Sequence, residues 1–173
     1  MNNFLGDQIL LEKYNEVAND LKLSYNNGIS FCFAGTHGCG KTMTATNILK
    51  RAVEKNYSAL YITLGDVVSC LINAANADRV LARKELLTVD YLCIDEFDAR
   101  WAGNSELATD LYGRTLEDVL RNRFNNKAPT FLCSNSPKVV DFFTGALKAS
   151  ITSLLNYTQM VSVIGKDIRK EGM

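Results

Sequence analysis

The sequence predicts a three-layer α/β domain built on a mostly parallel sheet. Three observations carry that prediction. Short apolar runs rich in β-formers alternate with segments of helical period. The first run leads directly into a glycine-rich loop that opens a helix, "FCFAGTHGCGKT". The third run ends in two adjacent carboxylates, "YLCIDE".

The elements follow in order. Leu10, Tyr14, Val17 and Leu21 recur at helical spacing, which predicts one helix over 5–24, and "YNNG" (25–28) reads as the turn after it. "ISFCFAG" (29–35) is the first strand. A helix over 41–55 should turn Ile48, Leu49, Ala52 and Val53 inward and Lys50, Arg51, Glu54 and Lys55 outward. "SALYIT" (58–63) is the second strand, with Asp66 placed to cap the helix "VVSCLINAA" and "DRVLARKELL" forming another helix after it. "DYLCID" (90–95) is the third strand, followed by a long helix over 104–125 that Gly113 weakens. "PTFLCS" (129–134) is the fourth strand. Ser136-Pro137 has the chemistry of a helix start, so the last helix should run from there to about Tyr157. "QMVSVIG" (159–165) is the fifth strand.

The totals narrow the class. A chain of 173 residues with 47% apolar and 22% charged residues suits one soluble domain with a sizeable core. Formal net charge is zero, so any nucleic-acid contact must rest on a local patch. No apolar run reaches the roughly 18 residues of a membrane span, and the N-terminal stretch lacks the basic region of a signal peptide. The five cysteines show no C-x-x-C pair, and Cys32, Cys93 and Cys133 sit in apolar runs, as expected of a reduced cytoplasmic protein.

Gly35–Thr42 fit the phosphate-binding pattern G-x-x-x-x-G-K-[ST], here between a strand and a helix. Gly35, Gly38 and Gly40 let the backbone bend and aim N–H groups at phosphate oxygens, with Thr36, His37 and Cys39 filling the variable positions. Lys41 should reach the β and γ phosphates of ATP, and Thr42 should ligate Mg²⁺. His37 is the single histidine and reads as a spacer. Asp95 and Glu96 end a strand, where open parallel sheets carry their ligands. Asp95 suits Mg²⁺, and Glu96 suits orienting an attacking water, which a hydrolase needs and a kinase must exclude. The guanine-recognition pattern N-K-x-D is absent: 126–129 read "NKAP", with Pro129 in place of the aspartate. A small-molecule kinase rests only on Arg121 and Arg123 as an imitation of a lid. Ser134-Asn135 ends the fourth strand, where a polar side chain would lie near the γ-phosphate; alone, an asparagine there is a turn residue.

Together, "GTHGCGKT", "SALYIT", "LLTVDYLCIDEFD" and "RNRF...APTFLCSN" resemble the DnaC/IstB group of AAA+ ATPases, which comprises helicase loaders and transposition helper ATPases. The resemblance runs from about Tyr25 through Pro137. It implies a P-loop NTPase (AAA+) fold with a five-stranded parallel sheet in the order 5-1-4-3-2 and no separate lid domain. It divides the chain into a helical arm, 1–25, and an AAA+ core, 26–173. It makes Asn135 the water-placing sensor. It further implies a replicative helicase as partner, contact with single-stranded DNA, and self-assembly into an AAA+ oligomer or spiral.

The sequence departs from this family in two places. Helicase loaders carry a helicase-gripping N-terminal domain, whereas about 25 residues precede the core here. The family also places two arginines in the helix before strand five, but "FFTGALKASITSLLNY" holds only Lys148. Lys148 is then the candidate trans residue, although lysine lacks the planar fork of arginine. Arg121 and Arg123 match a basic pair of the family and read either as trans contacts or as a solvated helix end. In loaders, the helices between strands two and three face single-stranded DNA. Arg79, Arg83 and Lys84 are the candidates here, a thin patch without an aromatic partner. The expected activity is slow or partner-stimulated ATP hydrolysis in a helicase loader. The competing readings are an IstB-like transposition helper, an ATP-binding adaptor with little turnover, and the small-molecule kinase.

Overall fold

The structure, a computed structural model, describes residues 7–98 and 106–163, with the backbone alone over 106–110. The rest of the expected arm, the start of the long helix and the end of strand five lie outside the described residues.

The strands are β1 (Phe31–Gly35), β2 (Ala59–Thr63), β3 (Tyr91–Asp95), β4 (Thr130–Ser134) and β5 (Gln159–Val163). All neighbours pair in parallel, in the order β2-β3-β4-β1-β5. Read from the other edge, that is the order the sequence resemblance implies. The helices are α1 (Gln8–Ala18), α2 (Leu21–Asn27), α3 (Lys41–Glu54), α4 (Leu64–Val68), α5 (Asn76–Thr88), α6 (Glu106–Asn125) and α7 (Gly145–Leu155).

Strand periodicity builds the two cores. Side chains of a strand alternate between faces, and helices cover both faces here, so the three inner strands are buried throughout. Phe31, Phe33, Tyr91, Cys93, Phe131 and Cys133 pack with Leu10, Val17, Leu21, Ile48, Leu49 and Ala52 of the α1–α3 layer. The alternate residues Cys32, Ala34, Leu92, Ile94 and Leu132 pack with Leu64, Leu116, Leu120, Ile151 and Leu154 of the α4–α7 layer. The first two helices thus share the core of the sheet.

The helical layers depart from the sequence expectation in six ways. The single helix expected over 5–24 is two. Asp20 interrupts it by accepting the Leu23 N–H at 2.9 Å, and so caps α2. That helix continues through Tyr25–Asn27 and closes at Gly28, so the expected turn starts later. Thr63, not Asp66, caps α4. Its Oγ1 accepts the Asp66 N–H at 3.1 Å and donates to Asp66 Oδ2 at 2.7 Å. A π-helical turn, Ser69–Asn73, continues that helix. The helix expected from Ser136 starts only at Gly145: Ser136 Oγ accepts the Lys138 N–H as an N-cap would, but the backbone then makes three-residue turn bonds, Asp141 N–H to the Lys138 carbonyl and Phe143 N–H to the Val140 carbonyl, in place of helical ones. Val53, expected inside, is 57% exposed.

Gly113 has a packing reason to interrupt a good helix. A Cβ there would lie 2.1 Å from Leu147 Cδ2, so the glycine lets α6 and α7 approach closely.

Candidate functional site

The strand order puts β1 between β4 and β5, with β3 on the far side of β4. The loop after β1 and the carboxylates ending β3 therefore share the C-terminal edge of the sheet. Gly35 begins the loop in a space that admits no side chain, since a Cβ would lie 1.9 Å from the Val163 carbonyl oxygen of β5. Gly38 and Gly40 then take φ values of 73° and 101°, which L side chains rarely adopt. Gly40 is the N-cap of α3 and supplies no side-chain hydrogen bond to its first turn. The positive end of a 14-residue helix therefore points at the loop.

Lys41 is buried under this loop, with 5% exposure. Its Nζ donates to the Thr36 carbonyl at 2.6 Å and to the Gly35 carbonyl at 3.2 Å, and lies 3.5 Å from Cys39 Sγ. Cys39 is itself buried and its thiol donates to the Thr36 carbonyl at 3.0 Å. Cys39 is therefore an internal brace of the loop, while Thr36 and His37 are exposed.

Thr42 Oγ1 donates to Asp95 Oδ2 at 2.8 Å, which joins the loop helix to the third strand. The Tyr61 hydroxyl of β2 donates to the same oxygen at 2.8 Å. Asp95 Oδ1 accepts the Glu96 N–H at 2.7 Å. A hydroxyl and a carboxylate this close form a hard-oxygen donor pair, the chemistry that Mg²⁺ selects when phosphates supply further ligands. These residues fit ATP with Mg²⁺ on the donor set alone. Glu96 is exposed and has φ 55°, a left-handed backbone uncommon outside glycine. The Phe97 N–H donates to the Cys133 carbonyl at 2.8 Å, so the chain stays on β4 just beyond this kink. Asn135 follows β4 and is half-buried, in the turn that Ser134 Oγ closes by accepting the Ser136 N–H.

The remaining candidates are dispersed. Arg123 differs most from expectation: it is fully buried, neither a solvated helix end nor an available trans group. Its guanidinium donates to the carbonyls of Leu86, Val89 and Pro129 at 2.8, 2.9 and 2.9 Å, and to Thr130 Oγ1 at 2.9 Å. These partners lie where β3 and β4 begin, so a five-residue strand, roughly 16 Å, separates Arg123 from the loop edge. Desolvation pulls this guanidinium down to about 10, and the Asp90 charge partly opposes it. Arg121 stays on the surface, bonded to Glu117 at 2.7 Å and to Ser150 Oγ at 2.9 Å. Lys148 is half-exposed on α7 and paired with Asp141 at 3.0 Å.

On α5, Arg79 donates to the Ile72 and Ala74 carbonyls at 3.1 and 3.2 Å, closing the π-helical turn. Arg83 pairs with Asp118 of α6 at 2.8 Å, and Lys84 is exposed. Two of the three basic side chains proposed for DNA are thus committed within the chain. Sequence reasoning missed Tyr61, because nothing local marks one exposed tyrosine of an edge strand as a carboxylate partner.

The profile described as "ATPase family associated with various cellular activities (AAA)" matches residues 31–163, most of the chain. The chain belongs to the AAA family. Solved structures share the fold of this AAA domain at low identity. One titled as the crystal structure of DnaI has a TM-score of 0.77 and 16% identity, with 94% of this chain and 88% of that chain covered. The DnaC helicase loader gives 0.68 and 16%, covering 93% and 92%. AMPPCP-bound DnaA from Aquifex aeolicus gives 0.69 and 16%, covering 93% of this chain but only 47% of that one. The AAA domain likewise spans 47% of a structure titled as a DNA replication initiation factor. A comparison with curated protein sequences returns no match. Among the described residues, no helix is long and apolar enough to cross a membrane.

Proposed function

We propose that this AAA protein binds ATP with Mg²⁺ at Gly35–Thr42, hydrolyses it, and serves as an assembly factor that loads a replicative DNA helicase onto single-stranded DNA. The observation that carries the nucleotide reading is the 2.8 Å contact between Thr42 Oγ1 and Asp95 Oδ2, beside a buried lysine and an exposed Glu96. Loop amides and Lys41 receive the phosphates. Lys41 exchanges its loop carbonyls for β- and γ-phosphate oxygens, so a charge already housed in the fold is turned onto the ligand. Thr42 and Asp95 hold Mg²⁺, which supplies neutralisation of phosphate charge when bound. Glu96 orients the attacking water and accepts its proton, while Asn135 fixes the water from β4.

The helicase-loader part rests on the fold shared along most of DnaI and of the DnaC helicase loader, together with the motif order in the sequence. Single-stranded DNA as a contact is supported by the fold shared with a DnaA structure titled as bound to AMPPCP and single-stranded DNA. In this reading the protein self-assembles through the nucleotide edge, with Lys148 or Arg121 as the group presented to a neighbour. A second reading, an ATP-binding adaptor with little turnover, is favoured by one observation: the cation on α7 is a lysine already paired with Asp141.

One experiment separates the readings. ATPase rate is measured against protein concentration for wild type, Lys148→Ala, Arg121→Ala and Glu96→Gln, with nucleotide binding followed in parallel. The loader reading expects slow turnover that rises with assembly. It also expects Glu96→Gln to keep ATP, lose turnover, and capture a replicative helicase. Absence of turnover at every concentration, with ATP-dependent assembly intact, would favour the adaptor.

A further inference from the structure

Asp95 is gripped from the side by a residue that the nucleotide reading does not use. Tyr61 belongs to β2, the edge strand, where its backbone stands opposite Cys93 while Thr63 stands opposite Asp95. Its side chain therefore leans along the strand by one pleat to bring the hydroxyl within 2.8 Å of Asp95 Oδ2. Thr42 reaches the same oxygen from α3 at 2.8 Å, and the Glu96 N–H takes Oδ1 at 2.7 Å. The carboxylate thus has three donors: one from β2, one from α3 and the backbone N–H of the residue that follows it. The contacts of Thr42 and Glu96 come with the two motifs. That of Tyr61 is supplied by the outer strand.

We infer that Tyr61 is a positioning residue for the metal-binding carboxylate, its hydroxyl fixing the rotation of Asp95 so that Mg²⁺ meets a preset ligand. This rests on the proposed role of Asp95 toward Mg²⁺. A hydrogen-bonded partner behind a ligating carboxylate restricts its rotamers and holds its lone pairs on the ion, and losing such a partner commonly weakens metal affinity by about tenfold or more. The hydroxyl is suited to the task because it stays a donor. A phenolic O–H, with an ordinary pKa of about 10, keeps its proton at neutral pH. Tyr61 is 43% exposed, so the hydroxyl contributes little to the core. Removing it should leave the fold intact.

The test is Tyr61→Phe, read by a fluorescent ATP analogue titrated in EDTA and again at increasing Mg²⁺. Thermal melting by circular dichroism serves as the control for folding. The expected result is binding in EDTA within twofold of wild type, with the Mg²⁺ concentration for half-maximal tightening raised about tenfold. Superimposable Mg²⁺ curves would overturn the inference. An equal loss of affinity with and without Mg²⁺ would also overturn it, because the hydroxyl would then support the fold and not the ion site. Wild-type protein that binds the analogue without any Mg²⁺ dependence would instead overturn the parent role of Asp95, and the inference with it.

Discussion

Replacing Arg123 by methionine separates a structural role from a trans-acting one. Methionine keeps much of the apolar stem but removes the fork. The fork makes four hydrogen bonds of 2.8–2.9 Å and one of 3.4 Å, to carbonyls of Leu86, Val89, Asp90 and Pro129 and to Thr130 Oγ1. A hydrogen bond to a charged group is worth about 1.5–3 kcal/mol, and a carbonyl left buried without a donor costs about 1–3 kcal/mol. These figures do not add. The guanidinium is also released from a desolvation cost of several kcal/mol, which offsets part of the loss. The net expectation is a destabilisation of about 3–5 kcal/mol, because several carbonyls are left buried without a donor at about 1–3 kcal/mol each while the relieved desolvation offsets part of the sum. Against a domain stability of about 5–15 kcal/mol, that is a large fraction. It corresponds to a Tm lower by about 6–20 °C at this chain length. Urea unfolding followed by circular dichroism measures it, with Arg121→Ala as control. Arg121 is a half-exposed member of a surface pair and should cost under about 1 kcal/mol. If Arg123→Met unfolds within 1 kcal/mol of wild type yet loses ATPase activity, the clamp is wrong and Arg123 acts at a nucleotide.

Two further outcomes follow from the packing and the charges. Gly113→Ala should destabilise by about 0.5–2 kcal/mol, because the new methyl meets Leu147 Cδ2 at 2.1 Å and must displace that side chain from the α6–α7 contact, which outweighs about 1 kcal/mol gained in helix propensity; an unchanged urea midpoint would refute that close approach. Asp90 is held below the usual carboxylate range: burial raises it, but hydrogen bonds from the Ser58 side chain and backbone and from Tyr25, with the Arg123 charge, outweigh that. A depressed pKa stabilises above the unfolded value and is lost as pH falls through the folded one. Asp90→Asn should therefore cost stability at pH 7 and progressively less below about pH 4, and a cost that does not change between pH 7 and pH 3 would contradict the assignment.

The sheet was legible because its strands are short apolar runs whose alternate residues face two cores, a pattern that local sequence carries without help. The glycine-rich loop after β1 and the place of Asp95 and Glu96 at the end of β3 were legible for the same reason: both are set by spacing within a few residues. What stayed hidden depends on distant segments or on competition between local bonds. Arg123 and its five acceptors come from residues 86–90 and 123–130, so its burial is visible only once β3 and β4 lie side by side. Tyr61 needs the β2–β3 register before its hydroxyl can meet Asp95. Asp20 and Ser136 each had two readings, a helix position or a side chain bonded to nearby backbone. At both, the side chain took the nearby N–H, but only at Asp20 did a helix follow directly.

The central claim is that Gly35–Thr42 bind ATP through a lysine housed beneath the loop. Isothermal titration calorimetry of ATP with Mg²⁺ against wild type and Lys41→Ala tests it most directly. Lys41 Nζ now bonds two loop carbonyls, 2.6 and 3.2 Å away, and should move onto the β and γ phosphates when ATP enters. The account predicts one saturable site in wild type and a loss of affinity of at least about 100-fold in Lys41→Ala, the equivalent of roughly 2.7 kcal/mol for charge-assisted phosphate bonds. Equal ATP affinity in the two proteins, with both folded, would contradict it.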